Sequence, residues 1–165
     1  MAYKIISGYP GAPVITDHST TQKVPLGTIV RAVDPTYGEG EFTYLLGVVS
    51  TVVGSIVTYD AQTHLTVLSA VGGSIPRPIA VAMAATVASE YGWYQISGVA
   101  TCAKTCTVSL AAGAAVGVLT TGLIAGTATG KELDGAAVAA VASATAGRTT
   151  VRVMLNRPHK QGRIT

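Results

Sequence analysis

Tyr91-Gly92-Trp93-Tyr94-Gln95-Ile96-Ser97-Gly98 is the stretch that decides the fold class. Trp93, Gln95 and Ser97 alternate with Tyr94 and Ile96, the period-two pattern of a strand, whose successive side chains leave on opposite faces. Aromatic residues make up only 5% of the chain, and Tyr91, Trp93 and Tyr94 are their main concentration. Large aromatics anchor cores, and they also carry much of the energy at interfaces. Tyr91, Trp93 and Tyr94 are therefore candidate core anchors and candidate intersubunit contacts.

Working outward, the flanking segments repeat the pattern. Upstream, Thr28-Ile-Val-Arg-Ala-Val33 leads into the polar, Gly-containing turn Asp34 to Glu41, and Phe42 to Ser50 is the next β-rich run. Ser55 to Asp60 and His64 to Ser69 flank a short polar link and read as a hairpin. Pro76-Arg77-Pro78 punctuates the chain, because two prolines with one residue between them disfavour both helix and central strand. Ile79 to Ser89 is Ala/Val-rich, has no decisive period, and stays open between helix and strand. Downstream, Leu133 to Ala146 is compatible with a short Ala-rich helix. Thr149 to Leu155 alternates and reads as a final strand with Val151, Val153 and Leu155 inward, stopped by Asn156-Arg157-Pro158. Short strands spaced by roughly 8–12 residues and joined by Gly and Pro turns predict an all-β fold, a small β-barrel or sandwich. Residues 1–26 mix Gly, Pro, Thr and Ser with isolated apolar residues and read as an extended N-terminal arm of the kind that lies along a neighbouring subunit. Residues 27–158 are then the β domain and 159–165 a basic C-terminal tail.

Composition bounds the function. A chain of 165 residues with 48% apolar content can build a core without metals or disulfides. Charged residues make up only 12%, about half the usual share. A surface so short of solvating charge suits an obligate assembly that covers much of it. Net charge is +3, too small to indicate a nucleic-acid binder, and no specific nucleic-acid partner is expected. All eight acids lie at or before Asp134, whereas Arg148, Arg152, Arg157, Lys160 and Arg163 leave the end purely basic. That end reads as a solvated final strand and tail, as a dock for an acidic partner surface, or as a phosphate contact. Arg152, Arg157, Lys160 and Arg163 are its candidate contact residues.

Cys102 and Cys106, in a strand, would sit roughly 13 Å apart, so a disulfide would need a tight turn. Free thiols suit a reducing cytoplasm, and no flanking His supplies a zinc set. The N-terminal MAYKIISGYPGAP has no apolar run of secretory length, so export is not expected. Residues 105–130 carry no charge, and Gly113 with Gly117 and Gly122 with Gly126 match the spacing of membrane-helix dimers. Their glycines and threonines and the scarcity of large aliphatics instead favour short strands and turns, with no membrane partner.

Each chemical motif fails on spacing or on missing partners. Gly126 to Glu132 is superficially a phosphate loop, but its glycines are one residue too close and Glu132 stands where a hydroxyl should hold magnesium. His18, His64 and His159 are dispersed, and there is no Gly-x-Ser-x-Gly elbow. Asp60 with His64 across the hairpin is the best polar pair. Asp34, Glu39 and Glu41 form an acidic cluster without calcium-loop spacing, read as a solvated turn or as a complement to the basic tail of another subunit. A small enzyme or ligand-binding barrel would have to draw on Asp34, Glu39, Glu41, Asp60 and His64. The expectation is no catalytic residue, no metal, no cofactor and no enzymatic activity.

Leu26 to Asp34, Glu41 to Gly47 leading into Gly54-Ser-Ile-Val-Thr-Tyr-Asp60, and Ile79 to Ala85 before Tyr91 to Gly98 together resemble the head decoration, or capsid cement, proteins of tailed bacteriophages. The resemblance runs over most of residues 26–155. It implies a β-barrel-like subunit, made in the host cytoplasm and located on the exterior of the virion capsid. There it would bind the major capsid protein as a homo-oligomer and bridge neighbouring capsid subunits. A trimer suits three-fold positions and an arm-exchanged dimer suits the extended N-terminus. The alternative is a phage tail, fibre or other oligomeric virion module, equally rich in Gly and Thr.

Overall fold

The computed structural model describes residues 3–7, 9–71, 76–105, 109–128, 131–140 and 149–161. Among them run twelve strands: Lys4–Ser7 (β1), His18–Ser19 (β2), Ile29–Asp34 (β3), Gly38–Leu46 (β4), Ile56–Tyr59 (β5), Thr66–Leu68 (β6), Ile79–Ala82 (β7), Tyr91–Ala103 (β8), Ala115–Thr120 (β9), Leu123–Gly126 (β10), Glu132–Val138 (β11) and Thr150–Lys160 (β12). The fold is all-β. One sheet runs β1-β3-β4-β8-β12-β11-β9-β10, with β2 and β7 also on β8, and β5 joining β7 to β6. It folds over on itself without closing into a barrel. Single parallel bridges, Lys104 to Ile124 and Leu46 to Leu65, bring its margins together where a closed barrel would need a ladder.

β8 organises everything else. It pairs antiparallel with β4 over Tyr91 to Ser97 and with β12 over Ser97 to Ala103. Just past the changeover, opposite Leu155, lies Gly98 at φ +91°, where a Cβ would stand 2.5 Å from the carbonyl oxygen of Glu39. Only glycine fits that conformation and that approach. On one side of this point Trp93 packs with Ile15, Val24, Val30, Phe42 and Tyr44, and Tyr94 and Ile96 pack with Leu45, Val57, Ala80 and Ala82. On the other side Ala100 and Cys102 enter the largest core, with Val116, Val118, Ile124, Leu133, Val151, Val153 and Leu155.

β7 resolves the ambiguous Ala/Val run as a strand. Ile79 and Val81 face the largest core while Ala80 and Ala82 face the Tyr94 core, so all four side chains are buried. A strand buried on both faces has no polar alternation to show in its sequence.

Four sequence expectations are corrected. The Phe42 to Ser50 run leaves the sheet after Leu46. Residues 133–138 of the expected Ala-rich helix lie in strand β11, because β9 and β12 supply a hydrogen-bond ladder on both sides that overrides the helix preference of alanine; residues 141–146 lie outside the described residues. Asn156-Arg157-Pro158 does not stop the last strand. Between Asp134 opposite His159 and Ala136 opposite Leu155 these three residues bulge, so β12 continues to Lys160 with its proline out of the ladder. The first 26 residues are not an arm separate from the domain. β1 pairs with β3, β2 pairs with β8, and Ile15 and Val24 are buried in the Trp93 core. The local composition concealed this, since two apolar residues among Pro, Gly and Thr suffice to dock the segment.

Candidate functional site

The aromatic strand is mostly interior. Trp93 is fully buried, its ring edge-on to Tyr44 at 5.0 Å and its indole Nε1 donating to the Pro13 carbonyl at 3.1 Å. Tyr94 is buried too, its hydroxyl 3.3 Å from Thr86 Oγ1, and burial pushes its phenol above the ordinary range. Tyr91 is half-buried and stacks on Tyr44. Trp93 and Tyr94 therefore anchor the core and have no surface left for a contact between subunits, which corrects their assignment; Tyr91 alone of the three reaches solvent.

The basic end does not form one patch. Arg152 is exposed, with its guanidinium 4.8 Å over the ring of Tyr37. Arg157, exposed and at φ +45° in the bulge, donates from Nε to Glu41 at 3.0 Å. Lys160 turns inward, buried, with Nζ donating to the Ala70 carbonyl at 2.6 Å, and desolvation lowers its pKa. That inward turn corrects its assignment as a surface contact. Arg163 lies outside the described residues.

The acids hold the fold locally. Asp34, buried, closes the β3–β4 turn by accepting from the backbone N–H groups of Thr36 and Tyr37 at 2.7 and 2.9 Å. Glu39 pairs with Arg31, and Glu41 with Arg157, so the complement of the acidic cluster comes from the same chain. These side chains, with Ser97 and Asn156, line a groove of about 410 Å³. Asp60 accepts from the backbone of Gln62 and Thr63, bonds that hold its carboxyl below the usual range. His64 shares that turn, its backbone N–H donating to the Asp60 carbonyl at 2.9 Å, while its ring lies against Gly27. Of the five residues of the hypothetical enzymatic site, Asp34 thus closes one turn, Glu39 and Glu41 serve two ion pairs, and Asp60 and His64 share a second turn. Among the described residues no group of three or more His, Cys, Asp or Glu could hold a metal ion. None of their helices is long and apolar enough to cross a membrane.

What the sequence reading missed is a surface built from two loops, 47–55 and 83–90. Thr51 and Thr86 form a bridge between them, and the Gly47 N–H donates to the Glu90 carbonyl at 2.6 Å. A Cβ on Gly47 would fall 2.5 Å from Thr86 Oγ1, so the loops meet there only through glycine. Three of the polar groups point inward, while Ser50 and Ser89 are exposed. Thr51, Ser55 and Thr86 are buried, Thr51 Oγ1 donates to the Val48 carbonyl, and Ser55 Oγ accepts from the Val52 N–H. Val49, Val52, Val53 and Val87 point out, 52–60% exposed. In sequence, Val48-Val-Ser-Thr-Val-Val53 is indistinguishable from a strand; glycines at 47 and 54 were the signal that it is a loop.

Comparison with known proteins gives no match: no family model fits the chain, and no curated protein or solved structure is significantly similar to it.

Proposed function

We propose that this chain is a structural, non-enzymatic virion protein that binds the outer surface of a tailed-phage capsid and stabilises the assembled head by bridging capsid subunits. The observation that carries the reading is the outward display of aliphatic side chains on a charge-poor surface. Besides the four valines of the paired loops, Leu65 and Val67 on and beside β6 are about half exposed. Surface of this kind is covered in an assembly more often than left in water. The candidate acids sit in turns and ion pairs, which supports a contact role.

Cementing works by mass action. A ligand that binds the expanded lattice and not its alternatives stabilises that lattice in proportion to its occupancy, and many modest contacts repeated by symmetry suffice. The partners in this reading are the major capsid protein and further copies of the chain, a trimer before a dimer.

The test is binding of the purified chain to phage heads stripped of it. Co-sedimentation at a fixed number of copies per head, with a raised temperature of head disruption, is expected. Absence of binding to heads together with binding to isolated tails would move the chain to the tail or fibre class.

A further inference from the structure

We infer that the paired-loop tip carrying Val49, Val52, Val53 and Val87 is a self-contact, the surface through which one copy of this chain meets a second.

Three observations support a built surface. The loops are fixed before any partner arrives: the Thr86 N–H donates to the Thr51 carbonyl at 3.1 Å, the Ser55 N–H to the Val52 carbonyl at 3.0 Å, and the Gly54 N–H to the Ala82 carbonyl at 2.8 Å. Valine side chains lose little further freedom on contact, so little ordering remains to be done on binding. Both loops also hold a non-glycine residue at positive φ, Ser50 at 65° and Ser89 at 64°. Such conformations persist where the surroundings impose them, and they gather at functional surfaces.

Charge selects the occupant. Loops 47–55 and 83–90 contain one ionisable side chain, Glu90, and it is turned inward, 15% exposed, with Oε2 accepting from the Val87 N–H at 2.9 Å. An uncharged apolar surface offers nothing to steer or pair a charged partner. It complements another like itself, and the tip of a second copy is such a surface by construction. Contacts between identical chains are also the most apolar and charge-depleted class.

Area sets the strength. The four valines, each about half exposed, offer on the order of 200 Å² of apolar side chain, about a quarter of the ~800 Å² that one partner buries in a standard interface. The contact is weak between free copies and becomes substantial where a common lattice holds them side by side. This biological setting rests on the decoration reading; the contact itself does not.

Sedimentation equilibrium of the purified full chain, from about 10 µM to about 1 mM, tests it. The wild type is expected to be monomeric at the low end and to associate toward the high end. Val53→Asp and Val87→Asp should weaken association about tenfold or more, because each leaves a charge unpaired in the contact. Val67→Asp, at a position 55% exposed on β6, should not. Circular dichroism and unchanged melting confirm that these exposed variants fold. In parallel, oxidised Val53→Cys should give covalent dimers in higher yield than Val67→Cys. A wild type monomeric throughout, tip variants that associate like wild type, or Val67→Cys cross-linking better than Val53→Cys would each overturn the inference. No capsid is present, so these failures are distinct from failure to bind heads.

Discussion

Cys102 shows how strongly one residue reports its surroundings. It lies fully buried in the largest core as a free thiol, and burial alone pushes its pKa from 9.0 up to about 12. Tyr3, its ring edge-on to Phe42 at 5.2 Å, is raised from 10.0 to about 12, first by burial and then by the charge of Asp34. Both groups are neutral acids whose folded pKa exceeds the unfolded one. The folded chain therefore holds its protons where the unfolded chain releases them, and stability is full below pH 9 and falls as pH rises toward 12. We predict that the urea-unfolding free energy declines above pH 9, with Cys102 contributing about 1.4 kcal/mol per pH unit between the two thiol values. In a Cys106→Ala background, Cys102→Ala should flatten that slope whatever it does to stability at pH 7. An unchanged slope would mean that the thiol is not buried as described.

At the scale of elements, the legible parts were those with one buried face. β3 and β12 alternate cleanly between buried and exposed positions, and Val151, Val153 and Leu155 point inward as their sequence predicts. β7 was not legible because both faces are buried, nor was β11, because neighbouring strands and not local preference fix its form. Of the candidate contacts, Arg152 and Arg157 are exposed, whereas Trp93, Tyr94 and Lys160 are interior, since spacing along a strand does not reveal whether its second face is covered. The N-terminal region gives the sharpest test. β1 attaches by four residues, of which only Ile5 is half-buried, while Ile15 and Val24 complete the Trp93 core. Deleting residues 1–7 removes Tyr3 and Ile5 and should lower stability by about 1–2 kcal/mol, whereas deleting 1–26 should remove about 3–5 kcal/mol of packing and leave the chain marginal. Equal melting temperatures for the two truncations would restore the separate arm.

For the whole molecule, three cores are arranged around one long strand, and aliphatic side chains are exposed on its outer loops and edges. Among the few charges are three arginine–carboxylate pairs within the chain, Arg31 with Glu39, Arg77 with Asp60 and Arg157 with Glu41. The most direct measurement is electron microscopy of virions with and without this chain. Regular density over the outside of the head, present only with the chain and fitted by this fold at symmetry-related positions, is the predicted result. Density confined to the tail, or heads identical in the two preparations, would contradict it.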